Sequence, residues 1–115
     1  MSELLNGWKR SGMCADFDTA HVGQEVTLMG WVQRRRNLGG LIFVWLRDRS
    51  GIIQVVFDEN RDAASFEKAE SLRSEFVIAV KGKIAKRDEQ NINRDLKTGE
   101  IEVEVSELKI LSSAA

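Results

Sequence analysis

Residues 30–57 combine three kinds of side chain that suit the binding of single-stranded RNA. The segment holds the consecutive arginines Arg34–Arg36, the aromatic residues Phe43 and Trp45, and the amide of Gln54. Arginines can fix phosphates, flat rings can stack on unpaired bases, and amide or carboxylate groups can hydrogen-bond to base edges. The spacing therefore indicates an RNA-binding surface, provided that the chain folds so that these groups share one side.

Alternating apolar and polar residues predict the strands that carry these groups. The first strand begins near Gln24 and runs through the arginines to a turn at 37–40, with Gly30 as a bend or bulge. The second and third strands flank a tight turn at 48–51 and form a hairpin. Three arginines in a row cannot all face one way on a strand, so at most two of them reach the same RNA surface.

The hairpin register predicts which side chains meet. With a two-residue loop, Trp45 lies opposite Gln54 and Phe43 lies opposite Val56, all on one side of the sheet. Alternation places this side toward solvent. A ring and an amide are thus predicted to project together from adjacent strands.

The rest of the chain completes a small barrel. Capping groups at 58–62 introduce a predicted helix of about three turns, a fourth strand starts near Phe76, and a polar loop at 86–99 precedes the fifth strand. A one-residue slip before Leu108 predicts a bulge in that strand. The order predicts an all-β fold with one helix, namely a five-stranded Greek-key OB-fold barrel with the helix between strands three and four. We expect a lead-in at 1–20 with a short helix around Leu4–Arg10, the barrel at 21–112 and a tail at 113–115.

Composition sets further limits. The chain has 115 residues, of which 43% are hydrophobic and 30% charged, as in ordinary globular domains. No apolar run approaches membrane-spanning length, and no secretory signal is recognisable, so we expect a cytoplasmic protein without a membrane partner. One cysteine, Cys14, and one histidine cannot form an internal disulfide or a Cys/His zinc site, and Cys14 is expected to be buried and inert.

The net charge of −1 is not that of a typical nucleic-acid-binding domain, but the charge is unevenly distributed. Arginines concentrate in the first two strands and glutamates in the last one, so an anionic partner is expected to dock on the first hairpin. The arginines are Arg34, Arg35, Arg36, Arg47 and Arg49, and the glutamates are Glu100, Glu102, Glu104 and Glu107.

From about residue 22 to residue 111 the sequence closely resembles the anticodon-binding domain of bacterial aspartyl-tRNA synthetases. The segments that carry the resemblance are Gly30–Arg36, Leu38–Phe43, Leu46–Arg49, Gly51–Ile52, Gln54–Asp58, Leu72–Phe76, Asn91–Asn93 and Thr98–Val103. The resemblance implies an N-terminal module of a class II aspartate-tRNA ligase that binds the anticodon loop of the aspartate tRNA. Aminoacylation, with ATP and Mg²⁺, then belongs to a separate catalytic domain.

Nothing in the sequence resembles the class II catalytic motifs. We therefore expect the chain to be an excised domain of the synthetase, without catalytic residues, metal or cofactor of its own. The resemblance implies a homodimeric parent enzyme, and the isolated domain is expected to be a monomer. It leaves open whether the parent also accepts the asparagine tRNA.

The resemblance also implies roles for individual residues. Phe43 corresponds to an aromatic residue that stacks on the middle uridine of the anticodon, Arg36 to a contact near the first anticodon base, and Glu102 to an acceptor for the cytosine amino group. Gln54 is expected to hydrogen-bond to a base edge, and Arg87 and Asn91 to reach RNA from the loop before strand five. Weaker candidates are Arg34, Arg35, Trp45, Asn93 and Arg94. Trp45 stands where the family commonly has aspartate.

Two alternatives remain open from the sequence. In the first, the barrel binds single-stranded nucleic acid without sequence preference. In the second, it is a protein-interaction domain in which Trp45 and Phe43 form the surface that contacts the partner. Steep weakening by salt distinguishes RNA binding from the second alternative.

Overall fold

Five strands close into a barrel in the computed structural model, which describes residues 3–113. The sheet order is β1-β2-β3-β5-β4; β1 pairs with β4 to close the barrel, and the contact between β3 and β5 is parallel. The elements are β1 (Glu25–Leu38), β2 (Leu41–Asp48), β3 (Gly51–Asp58), helix α1 (Ala63–Ala69), β4 (Val77–Lys86) and β5 (Ile101–Ser112). Three 3₁₀ turns lie at Cys14–Asp16, Thr19–His21 and Glu89–Asn91. The predicted OB-fold, with its helix between strands three and four, is confirmed.

The core lies inside the barrel and follows the period-two pattern of the strands. Every second residue of β2 is buried, and each of the five strands contributes apolar side chains to one cluster. Burial of one such side chain stabilises the fold by about 1.5–3 kcal/mol. Because the buried residues take the inward positions, the alternate residues of β2 and β3 must face outward.

The register of the β2–β3 hairpin is the one predicted. Trp45 pairs with Gln54 and Phe43 with Val56, and the loop between Asp48 and Gly51 has two residues. The predicted slip before Leu108 is also present, because the β4–β5 register shifts between Lys81 and Gly82.

The predicted bulge at Gly30 is wrong in position. The β1–β2 register instead shifts between Val32 and Arg34, so Gln33 is the extra residue. Gly30 serves close packing, because a Cβ there would collide with the backbone carbonyl of Arg47. The bulge at Gln33 reverses the phase of β1, and therefore the residues beyond it exchange faces.

Helix α1 has seven residues, about two turns rather than the predicted three. It begins as expected, since the Asp62 carboxylate accepts a hydrogen bond from the backbone N–H of Ser65. At its end, Nη1 of Arg35 donates to the carbonyls of Ala69 and Glu70, at 3.3 and 2.6 Å, and so satisfies two acceptors that the helix leaves unpaired. Leu72, beyond the end, is still fully buried.

The helix predicted around Leu4–Arg10 is not formed. Asn6 and Gly7 have φ values of 49° and 88°, which interrupt a right-handed helix. The carbonyls of Leu4 and Leu5 accept hydrogen bonds from Nζ of Lys109 and so tie this segment to β5. Residues 1 and 2 of the predicted lead-in and residues 114 and 115 of the predicted tail lie outside the described residues. Within residues 3–113, no helix has the length and apolar character needed to cross a membrane.

Candidate nucleic-acid interface

An open groove of about 690 Å³ crosses the outer face of β1, β2, β3 and β5 and extends to the loop between β4 and β5. It brings together nine of the residues predicted from the sequence to contact RNA: Arg34, Arg36, Phe43, Trp45, Gln54, Arg87, Asn91, Asn93 and Glu102. Arg35 and Arg94 are not among the lining residues. Groups separated by up to 68 positions in the chain thus share one surface because the barrel closes.

The bulge at Gln33 determines which arginines face the groove. After the phase reversal, Arg34 pairs with Trp45 and Arg36 with Phe43, whereas Arg35 pairs with the inward-facing Val44. The Cζ atom of Arg34 lies 5.5 Å from the centroid of the Trp45 ring, and that of Arg36 lies 6.0 Å from the Phe43 ring. Both distances fit cation–π contacts. Two arginines therefore accompany the two rings, and the guanidinium of Arg35 holds the end of α1 instead.

Gln54 and Glu102 form the polar centre of the groove. Nε2 of Gln54 donates a hydrogen bond to Oε1 of Glu102 at 3.1 Å. Burial raises the pKa of the Glu102 carboxyl, against the opposing effects of the Gln54 hydrogen bond and the nearby Arg87 charge. The carbonyl oxygen of Gln54 and the second carboxylate oxygen of Glu102 remain as acceptors, suited to a base that presents an amino group.

Arg87 lies beneath the groove surface, with only 6% of its area exposed. Its Nε donates to the carbonyl of Ile101 at 2.9 Å and its Nη1 to the carbonyl of Asn91 at 3.2 Å. Nη2 is buried and has no hydrogen-bond partner within the described part of the chain. Burial lowers the pKa of Arg87, and the Glu102 charge partly opposes this. The residue ties the β4–β5 loop to β5 rather than projecting toward solvent.

The loop between β4 and β5 forms one wall of the groove. Asn91 is exposed at the end of a 3₁₀ turn, whereas the half-buried Asn93 uses its Oδ1 to accept from the backbone N–H of Asp95 at 3.0 Å. Asn91 is thus the freer of the two amides to meet a ligand.

The arginines and glutamates that lie at opposite ends of the sequence are not separated in space. Closing the barrel places Glu102 and Glu104 of β5 in the same groove as the arginines of β1. Arg61 and Lys86 also line the groove and were not predicted. Arg61 follows β3 in a turn whose sequence carries no binding signal, and its Nη2 donates to the Val56 carbonyl at 2.8 Å. Only the closed fold brings these cations to the groove.

Comparisons with known proteins agree with this geometry. Residues 26–111 match the family described as OB-fold nucleic acid binding domain. The chain is 56% identical over 115 residues to an aspartate–tRNA ligase of Agathobacter rectalis and 51% identical over 114 residues to an aspartate–tRNA(Asp/Asn) ligase of a Thermoanaerobacter species. Each alignment covers 99% of this chain but only 19% of the relative. The asparaginyl-tRNA synthetase of Pyrococcus horikoshii superposes with a TM-score of 0.77 at 29% identity, covering 93% of this chain and 23% of that one. The resemblance to aspartyl-tRNA synthetases predicted from the sequence is confirmed.

Proposed function

This chain belongs to the family of OB-fold nucleic acid binding domains, and on that premise we propose that it binds the anticodon loop of the aspartate tRNA. The observation that carries the proposal is the joint placement of Phe43 and Gln54 in the groove, between the cation of Arg36 and the carboxylate of Glu102. Ring, amide, cation and carboxylate are the groups that recognise splayed single-stranded bases. The similarity to aspartate–tRNA ligases supports the choice of the aspartate tRNA as the partner.

Each group has a distinct role in this proposal. Phe43 stacks on the middle base, and Arg36 holds the first anticodon nucleotide. The oxygens of Gln54 and Glu102 accept hydrogen bonds from the amino group of the cytosine. Asn91 contacts the RNA from the loop wall. Arg87 is a positioning residue, because its guanidinium donates hydrogen bonds to the backbone carbonyls of Asn91 and Ile101 and its charge interacts with that of Glu102.

The parent protein would be an aspartate-tRNA ligase in the cytoplasm, and this chain spans 19% of the length of such relatives. Aminoacylation, with its ATP and Mg²⁺, would take place in the remainder of that enzyme. We propose that the isolated domain is monomeric and that dimerisation belongs to the remainder. The two relatives differ in name as to whether they also act on the asparagine tRNA.

Replacing Phe43 with alanine tests the proposal. Loss of one stacked base is expected to weaken binding of an RNA hairpin with the aspartate anticodon about 5- to 150-fold, as measured by titration of the 115-residue chain. Since Phe43 is half-buried on the outer face, the free energy of unfolding in urea should change by less than about 1 kcal/mol.

The matched control is Phe43→Trp, which keeps a flat ring and should retain most of the affinity. Hairpins with single anticodon substitutions should bind more weakly than the aspartate hairpin. Equal binding of all hairpins would instead identify a sequence-nonspecific barrel. Unchanged affinity of Phe43→Ala together with a large loss of stability would identify a packing role for the ring.

A further inference from the structure

We propose that Trp45 and Arg34 form a second stacking site, and that the base held there is the one whose edge meets Gln54 and Glu102. The inference rests on the proposed function and adds a specificity-determining residue to it. In this scheme Phe43 and Trp45 hold two different bases of one RNA strand.

The sheet register assigns the groove residues to two rows that cross the strands. In the first row, Arg34 of β1 pairs with Trp45 of β2, and Trp45 pairs with Gln54 of β3. The hydrogen bond from Gln54 to Glu102 extends this row to β5. Cation, ring, amide and carboxylate therefore follow one another across four strands.

The second row has the same cation and ring but an apolar residue where the first row has an amide. Arg36 pairs with Phe43, Phe43 with Val56, and Val56 with Glu104 of β5. Val56 is buried and apolar, and Glu104 faces the guanidinium of Arg61 at 3.9 Å. The second row can stack a base, whereas only the first combines a ring with acceptors that remain available.

The distance between the rows leaves room for a base on each ring. Two residues along a strand span about 6.8 Å. That span is about twice the 3.4 Å rise per nucleotide of a stacked strand, so each ring can face a base of its own. Recognition of splayed single strands uses this arrangement, with each base on its own aromatic ring or guanidinium plane. Arg34 and Arg36 supply the guanidinium planes beside the two rings.

The first row selects a base with an exocyclic amino group. Gln54 uses one amide N–H on Glu102, which leaves the Gln54 carbonyl oxygen and the second Glu102 oxygen as acceptors, together with one Gln54 N–H as a donor. The cytosine of the aspartate anticodon carries such an amino donor, and uracil presents a carbonyl at the same position. Trp45 is therefore expected to stack the cytosine while Phe43 stacks the middle uridine.

The test crosses protein variants with RNA hairpins that lack one base. We would compare Trp45→Leu and Phe43→Leu, which keep apolar bulk but lose the flat ring, on three hairpins. These are the intact aspartate anticodon hairpin, one abasic at the cytosine, and one abasic at the middle uridine. On the intact hairpin, each variant should bind about 5- to 150-fold more weakly than the unaltered chain.

The abasic hairpins assign each ring to a base. The effect of Trp45→Leu should disappear on the hairpin abasic at the cytosine and persist on the one abasic at the uridine. Phe43→Leu should show the reverse. Trp45→Phe keeps a ring and should keep most of the affinity. It also tests the need for a ring at this position if urea unfolding shows that Trp45→Leu is poorly folded.

Two results would overturn the inference while leaving the proposed function intact. Equal weakening by Trp45→Leu on all three hairpins would mean that Trp45 acts through packing, and full affinity of that variant would mean that no base stacks there. Failure of the unaltered chain to distinguish anticodon variants would instead overturn the proposed function itself.

Discussion

The tip of the β2–β3 hairpin and the groove each hold a carboxylate that is at least half-buried, and the two carboxylates differ in their hydrogen bonds. At the tip of the β2–β3 hairpin, Asp48 is 5% exposed and accepts from the N–H of Cys14, the N–H of Ser50 and the Ser50 hydroxyl, at 2.8, 2.8 and 2.6 Å. Burial alone would raise the pKa of Asp48, but these hydrogen bonds outweigh it and lower the pKa. In the groove, half-buried Glu102 accepts one hydrogen bond from Gln54, and burial raises its pKa.

This difference separates a structural site from the proposed binding site. Donors from the protein saturate Asp48, so the carboxylate ties the hairpin to the turn at Cys14–Asp16 and offers nothing to a ligand. Burial disfavours the charged form of Glu102, and one of its oxygens remains an acceptor for a donor from a ligand, as is expected of a binding site. The same contrast applies to the arginines, since Arg35 is bonded to the end of α1 whereas Arg34 and Arg36 border the groove.

Replacing each carboxylate with the corresponding amide should give the largest difference in stability between the two sites. Asp48→Asn leaves one oxygen where two are used, so at least one N–H or hydroxyl donor loses its acceptor, and the free energy of unfolding should fall by about 2 kcal/mol. Glu102→Gln removes a charge that burial disfavours, and its stability should be unchanged or higher at neutral pH. Urea unfolding monitored by circular dichroism measures both variants.

The two variants should rank in the opposite order when RNA binding is measured: the one that keeps its stability should lose discrimination between RNAs. Glu102→Gln should lose discrimination against a hairpin whose cytosine is replaced by uracil, whereas folded Asp48→Asn should discriminate like the unaltered chain. If Glu102→Gln were the less stable variant and kept its discrimination, Glu102 would belong with the structural carboxylates.

Features that depend on local alternation could be predicted from the sequence, whereas features that depend on contacts between residues far apart in the chain could not. Alternation and a two-residue turn are sufficient to place Trp45 opposite Gln54, so the hairpin face could be predicted. The last carbonyls of α1 accept from the guanidinium of Arg35, more than thirty positions earlier, and local alternation does not reveal this contact at the end of a helix that was predicted too long. The bulge was predicted at Gly30 because glycine is common in bulges, but the extra residue is Gln33, whose Oε1 accepts from Nε of Arg47. Burial of Arg87 and entry of Arg61 into the groove require the closed barrel, which alternation does not describe.

A second pair of variants extends the comparison to cations. Arg35→Gln removes the hydrogen bonds to the end of α1 and should lower stability by about 1 kcal/mol without changing the salt dependence of RNA binding. Arg36→Gln should leave stability unchanged and reduce the slope of log affinity against log salt by about 0.7, the value for one phosphate contact on a single strand. Titrations at several salt concentrations measure the slope. A reduced slope for Arg35→Gln would mean that this arginine leaves the helix to bind RNA.

The pH dependence of stability should show the smallest effect, with opposite signs at the two carboxylates. The pKa of Asp48 is lowered by folding, so its stabilising contribution is complete above the unfolded value of about 3.9 and is lost as pH falls through the folded value. The pKa of Glu102 is raised, so its contribution is complete below the unfolded value of about 4.3 and is lost as pH rises through the folded value.

The stability difference between the unaltered chain and Asp48→Asn should therefore shrink on acidification below about pH 4. The advantage of Glu102→Gln should instead grow as pH rises above about 4.3. Glu3 acts in the same direction as Asp48, because hydrogen bonds from the Ile110 N–H and from Lys68 outweigh the effect of burial and lower its pKa. Glu3→Gln is thus the control that separates the two acid-side contributions. If the two carboxyl variants changed stability with pH in the same direction, the hydrogen bonds in the structure would not explain the difference between the hairpin tip and the groove.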